Sequence, residues 1–325
     1  MDEPQTLAAA LNQAHFEVME KDEKIVVLGE DVAVNGGVFR VTEGLLEEFG
    51  EDRVMDTPVG EAGIIGSMVG MASQGFRPIG EIQFSGFIYP GMDQIVSHLS
   101  RMRSRSRGEY SCPVVLRAPY TGGIEAPEHH SESMEAMYCH IPGLKVVSPA
   151  SPCDARNMLH GAVQDPDPVL FLEPKQIYRS VKEPLPKKPR NIPPGQARTV
   201  REGDDLTIIS WGAMLRMCDR FLRKIDGPPS TELIDLRSLS PLDHSTIIDS
   251  AKKTGRVIIV QEGPRQCGLA SEISATVNER ALLHLKAPIK RVTGFDTVMP
   301  LAQLENQYLP GEKRLKQAME ATLSF

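Results

Sequence analysis

Cysteine is sparse and badly spaced in this sequence. The five residues Cys112, Cys139, Cys153, Cys218 and Cys267 are scattered and odd in number, and no pair stands as C-x-x-C. A disulfide framework and a zinc site are therefore not expected, and a reducing, cytoplasmic compartment fits best. No apolar run approaches the ~18 residues of a membrane span, and no signal-peptide pattern opens the chain. Positive charge is not in excess either. A net charge of -7, from 36 Lys and Arg against 43 Asp and Glu, argues against nucleic acid as the main partner, because phosphates need a basic face.

Several catalytic signatures are missing as well. No G-x-S-x-G elbow presents a nucleophile, and no H-E-x-x-H helix offers zinc ligands. His129 and His130 are adjacent, so they point in different directions and suit one metal poorly. Gly60, Gly63 and Gly66 follow a strand and open a helix, but as G-x-x-G-x-x-G rather than G-x-G-x-x-G, and no P-loop lysine follows. Those small residues suit close helix packing, and a nicotinamide-dependent dehydrogenase is only a weak second candidate.

What is present is an ordinary globular composition, 41% hydrophobic and 24% charged, over 325 residues, enough for two domains with full cores. Apolar runs at 25–28, 78–84, 114–117, 144–147 and 169–173, with a shorter approach at 54–55, read as strands. They alternate with helices expected at 5–21, 42–49, 92–105 and 153–164, a pattern that implies a parallel sheet covered on both faces. Glu81 and Gln83, two apart, are expected on one strand face. The arginines from Arg101 to Arg107 suit a helix C-terminus better than a phosphate site. Between Glu183 and Gly195 five prolines and three basic residues form an extended linker. Past it, strands at 206–209, 232–236, 257–260 and 289–292 alternate with helices near 213–225, 243–253, 267–284 and 312–321. The division expected is a first α/β domain over 1–178, a linker over 179–203 and a second α/β domain over 204–325.

The stretch from Met55 to Ala72, MDTPVGEAGIIGSMVGMA, is a strand, a tight turn and a buried helix with one carboxylate, Glu61, at the turn. If Thr57 caps the helix and Pro58 is its first residue, Glu61 falls one place late for a capping box. On this stretch alone the favoured reading is a helix-dipole contact worth a few tenths of a kcal/mol. Loops after parallel strands are nevertheless where open α/β sheets place their chemistry. Four such loops carry Glu30, Glu61, Gln83 with Phe87, and His130.

Taken together, DTPVGEAG, EIQFSGFIYPGMDQI, EHHSES, HIPGLKVVSP, DPVLFLEPKQIYRS and RVTGFDTVMP resemble the β subunits of heterotetrameric, thiamine diphosphate-dependent 2-oxo acid dehydrogenases. The resemblance runs in order along essentially the whole chain. It implies two open, mostly parallel-sheet α/β domains: a transketolase-like pyrimidine-binding domain and a transketolase C-terminal domain. It further implies oxidative decarboxylation of a 2-oxo acid and transfer of the acyl group to a lipoyl domain, with pyruvate slightly favoured over the branched-chain 3-methyl-2-oxobutanoate. By that resemblance Glu61 is the acid that meets N1′ of the aminopyrimidine, and the backbone of Val59 meets the same ring. Gln83 is a polar contact beside it, and Phe87 lies against it where some relatives have Tyr. Glu30 belongs to a buried acid chain linking paired sites. His130 faces the reacting carbon and assists acyl transfer, with Glu132 expected to raise its pKa. A structural potassium site falls on Val114, Ala162, Val163, Asp165 and Asp167, the last replacing a commoner Asn.

The G-D-G…N motif that holds Mg²⁺ and the diphosphate in such enzymes does not occur; Glu202-Gly203-Asp204-Asp205 is the nearest string. The chain is thus expected to be half of a site, completed by an α subunit in an α₂β₂ particle and served by a lipoyl-bearing acyltransferase core. A non-catalytic binding protein on the same fold is disfavoured by the presence of both Glu61 and His130. The C-terminal part of a split transketolase or deoxyxylulose synthase is disfavoured by EIQF and HIPGLKVV.

Overall fold

The computed structural model describes residues 3–325. Its strands, in chain order, are β1 Gln5–Thr6, β2 Ile25–Gly29, β3 Val54–Asp56, β4 Arg77–Glu81, β5 Val115–Tyr120, β6 Lys145–Val147 and β7 Val169–Pro174, followed by β8 Lys182–Glu183, β9 Arg198–Arg201, β10 Leu206–Ser210, β11 Thr231–Asp235, β12 Ser238–Ser240, β13 Val257–Val260 and β14 Lys290–Val292. They form a seven-stranded sheet of order β12-β6-β7-β5-β4-β2-β3 and a five-stranded sheet of order β14-β13-β10-β11-β9, while β1 and β8 make a small antiparallel pair. In the first sheet every pairing is parallel except β12 with β6, and in the second every pairing is parallel except β9 with β11.

The continuous apolar strands follow from this layering. β2, IVVLG, and β7, VLFLEP, are buried at every position because helices cover both faces of the sheet. Helix Leu7–Lys21, capped by the Thr6 hydroxyl on the Ala9 N–H, packs against helix Pro152–Gln164, capped by Ser151 on Asp154 N–H. Across that contact Glu17 takes hydrogen bonds from Arg156 Nε at 2.9 Å and from His160 Nε2 at 2.8 Å. No helix among the described residues is long and apolar enough to cross a membrane.

Three elements depart from the sequence reading. The helix expected over 92–105 is broken into a π-turn Gln94–His98, a 3₁₀ turn Leu99–Arg101 and a short α-turn Met102–Arg105. At the break the backbone packs against Gly143, where a Cβ would stand 2.1 Å from the Ser100 carbonyl oxygen. The expected linker contains β9, whose edge pairing with β11 gives residues 198–201 a place in the second sheet. Finally, Ser238–Ser240 leaves the second half of the chain to pair antiparallel with β6, closing the edge of the first sheet. The two sheets are thus tied by the chain itself as well as by side chains.

Candidate active site

Strand order decides what can meet. β5, β4, β2 and β3 lie side by side and run parallel, so the four loops at their carboxyl ends form one continuous rim. Glu30 follows β2, and its buried carboxylate accepts the Gly60 N–H at 3.3 Å through Oε1. Burial pushes its pKa up, the Gly60 hydrogen bond opposes this, and the charges of Glu61 and Asp31 add to it. Asp56, closing β3, accepts Ala33 N–H at 2.7 Å and Val34 N–H at 3.2 Å, which pins the loop after Glu30 beside the turn before Glu61.

The turn after β3 differs from the expected cap. Thr57 N–H donates to the Gly29 carbonyl at 2.9 Å, and its hydroxyl, buried and without a partner, caps nothing. The helix begins at Glu61, preceded by Gly60. Glu61 is therefore its first residue rather than its fourth, because residues 57–60 are spent crossing from strand to helix. Val59, two residues before it, is 84% exposed, and Glu61 itself is half-buried.

Gln83 lies beyond the end of β4 and donates from Nε2 to Asp31 Oδ2 at 3.3 Å. It does not share a face with Glu81, as expected from their spacing, because the strand ends at Glu81. The Glu81 carboxylate turns into the core to meet Arg117. The segment after Gln83 forms a 3₁₀ turn over Ser85–Gly91 that brings Phe87 to the rim. His130 stands against it, with ring centroids 4.4 Å from Phe84 and 5.1 Å from Phe87, both edge to face. Its Nδ1 is buried with no partner. Gly86 permits this approach, since a Cβ there would lie 2.3 Å from the His129 carbonyl oxygen.

Glu132 does not pair with His130. Its Oε2 accepts the Tyr89 hydroxyl at 2.5 Å and lies 3.9 Å from His129 Nδ1. The expectation that Glu132 tunes His130 is corrected accordingly.

Beneath the rim lies a buried ionic group that the sequence reading missed. Arg117 on β5 is fully buried, its Nη1 2.7 Å from Glu81 Oε2, and its Nε and Nη2 grip Glu173 at 2.7 and 2.9 Å. The Tyr178 hydroxyl also donates to Glu173. An arginine inside the apolar run VVLRAPY was the one available signal.

The residues of the potassium pattern already have partners within the chain. The carbonyls of Val114, Ala162 and Val163 already accept hydrogen bonds from Val169 N, Asp165 N and Arg77 Nη1 at 2.9, 3.1 and 2.9 Å. Both Asp165 oxygens lie within 2.7 Å of Lys145 Nζ, and Asp167 meets Arg103 Nε at 2.5 Å and Lys145 at 3.5 Å. The two carboxylates are neutralised from within, so a further cation would rest on the remaining carbonyl lone pairs alone.

The rim offers a half-buried carboxylate at Glu61, aromatic edges at Phe84 and Phe87, and an imidazole whose buried Nδ1 has no partner. Comparison with known proteins shows the family. A model of the transketolase pyrimidine-binding domain matches residues 3–181, and one of the transketolase C-terminal domain matches residues 195–315. Among solved structures, a split-gene transketolase in the form of an inactive β4 tetramer superposes with a TM-score of 0.81, covering 99% of each chain at 20% identity, which shows the fold. The chain is 50% identical to the pyruvate dehydrogenase E1 component subunit beta of Acholeplasma laidlawii, over 95% of both chains. It is 46% identical to the protein of that name from Bacillus subtilis, over 98% of this chain and 99% of the other. With the pyrimidine-binding and C-terminal domains both present and near-complete coverage at such identity, the chain belongs to the transketolase-like family of thiamine-dependent enzymes, among the pyruvate dehydrogenase E1 β subunits.

Proposed function

We propose that this chain is the β half of a pyruvate-decarboxylating E1 component, binding the aminopyrimidine of thiamine diphosphate and active only with an α subunit. The observation that carries the reading is the single rim formed by Glu30, Glu61, Gln83, Phe87 and His130 on a chain of this family. When bound, thiamine diphosphate supplies the carbanion chemistry that cleaves the 2-oxo acid.

The chain's own residues have three tasks. Glu61 would share a proton with pyrimidine N1′; a half-buried carboxylate at the helix start can do this once a partner surface covers it. Glu30, held by Gly60 N–H, adds negative charge beside Glu61. Val59 backbone and Gln83 orient the ring, and Phe87 packs on it. His130, fixed between two phenyl rings, donates a proton to a dithiolane sulfur as the acyl group leaves for a lipoyl domain. Mg²⁺ and the diphosphate are assigned to the α subunit of an α₂β₂ particle in the cytoplasm. A structural potassium ion on the carbonyls of Val114, Ala162 and Val163 belongs to the same proposal, and no proton or acyl step runs through it.

Co-expression with a cognate α subunit tests this. The pair should decarboxylate pyruvate in the presence of Mg²⁺ and acylate a lipoyl domain, and this chain alone should do neither. Robust activity from the isolated chain overturns the half-site, and preference for 3-methyl-2-oxobutanoate overturns the pyruvate assignment.

A further inference from the structure

The loop that carries His130 is held at both ends by the second half of the chain. Residues 121–134 leave β5 and return to helix Glu135–Cys139. Glu262, at the end of β13, accepts Gly122 N–H at 2.7 Å and the Ser133 hydroxyl at 2.6 Å, both on Oε1. Glu305, on helix Ala302–Tyr308, accepts Gly123 N–H at 2.6 Å and Glu125 N–H at 2.9 Å, one on each oxygen. Lys175 Nζ donates to the Thr121 carbonyl. The two carboxylates and the ammonium are 3%, 1% and 5% exposed, so these contacts are shielded from water.

The backbone they hold would not settle there unaided. Thr121 and Glu125 adopt φ of 79° and 58°, left-handed values that residues with a Cβ rarely take. Gly123, at φ 85°, lies so near Gln176 that a Cβ would stand 2.2 Å from its Nε2. Apart from these carboxylates the loop is held by its own contacts, His130 N–H to Pro127 at 2.9 Å and Ser131 Oγ to Ala126 at 3.2 Å, and at Glu132 by donors from Tyr89 and Ser85 of the first domain. Charged acceptors fix amide donors more strongly than neutral ones. Glu262 follows β13 of the second sheet and Glu305 lies on helix Ala302–Tyr308, so both reach the loop from the second half of the chain.

We infer that Glu305 and Glu262 are positioning residues for His130, clamping its loop from across the domain boundary so that the imidazole meets the acyl acceptor. The inference rests on the reading of His130 given above. A plain interdomain staple is the alternative, and it would affect every activity alike.

The test uses the reconstituted heterotetramer and five variants. Glu305→Gln loses one of its two acceptors and should slow lipoyl-domain acylation by about ten-fold, with decarboxylation to an artificial electron acceptor far less affected. Glu262→Gln keeps an oxygen for Gly122 and Ser133 but loses the charge and should lose acylation a few-fold, and Ser133→Ala, a mild change for folding, should lose it several-fold. In the double variant His130→Ala with Glu305→Gln, the acylation loss should be no larger than for His130→Ala alone, because Glu305 acts through His130. Amide hydrogen exchange over residues 122–125 should rise by about ten-fold in Glu305→Gln, a readout independent of turnover. Additive losses in the double variant, equal losses in both assays for Glu305→Gln, or unchanged exchange overturn the clamp alone. Equal loss of both activities in His130→Ala overturns the functional reading, and the positioning claim with it.

Discussion

Glu30 and Glu61 are joined through a single backbone amide. Gly60 N–H donates to Glu30 Oε1 at 3.3 Å, and the next residue, Glu61, starts the helix. Glu30 is buried and Glu61 half-buried, so the pair spans the boundary between the sheet core and the rim. Their mutual repulsion contributes to the raised pKa of Glu30.

Glu61→Gln should leave folding intact, because Gln keeps the size of this half-buried side chain and an amide at a helix start forfeits only a few tenths of a kcal/mol. Turnover of the reconstituted enzyme at saturating cofactor should fall by about 10²–10⁴-fold, or about 3–5 kcal/mol of barrier, since an amide cannot share a proton with N1′. Melting temperature and turnover are measured on the same sample. Activity within a few-fold of the parent would remove Glu61 from the mechanism.

Arg117→Met tests the buried group beneath the rim. It strands Glu81 and Glu173, whose charges Arg117 now meets at 2.7 Å. Removing one partner of such a buried pair costs about 3–5 kcal/mol, which should lower the melting temperature by roughly 10 °C. A drop below about 2 °C would mean that both carboxylates simply take up protons.

Glu135 supplies a pH signature. It is fully buried beneath the interdomain contact, with Trp211 Nε1 donating to Oε1 at 3.1 Å, and burial raises its pKa to about 7, with the charge of Glu262 adding to the effect. A folded pKa above the unfolded one means the folded state binds more protons between about 4.5 and 7. Its stabilising contribution is therefore complete below that window and is lost as pH rises through it. Glu135→Gln keeps the oxygen for Trp211 and does not titrate. The variant should gain on the parent between pH 5 and pH 8, by up to about 3 kcal/mol. Melting curves at both pH values decide it, and a constant difference would refute the assignment.

Potassium is tested by exchange of the supporting salt. If carbonyls of Val114, Ala162 and Val163 hold the ion, replacing sodium by potassium at equal ionic strength should raise the melting temperature. Binding at a hundred times Kd would stabilise by about 2.7 kcal/mol. Equal melting in sodium, potassium and caesium would show that Lys145, 2.6 Å from Asp165, is the cation this loop needs.

Much of this protein was determined by local sequence. Continuous apolar runs such as IVVLG and VLFLEP announce strands buried on both faces, and their alternation with amphipathic segments implies parallel sheets. The motifs around Glu61, Phe87 and His130 carry the family. What tertiary structure alone decided are contacts between residues far apart in sequence, which no local period encodes. Ser238–Ser240 returns to the first sheet because β6 offers an open edge, and the helix over 92–105 breaks where Gly143 meets its backbone. Arg117 reads as a misplaced charge until the fold brings Glu81 and Glu173 to it. Glu132 meets Tyr89 rather than His130, a partner that only the folded turn over Ser85–Gly91 brings within reach. Glu262 and Glu305 look like ordinary surface acids in sequence. They become buried acceptors for the His130 loop only because packing one sheet's rim against the other brings them within hydrogen-bond distance of Gly122, Gly123 and Glu125.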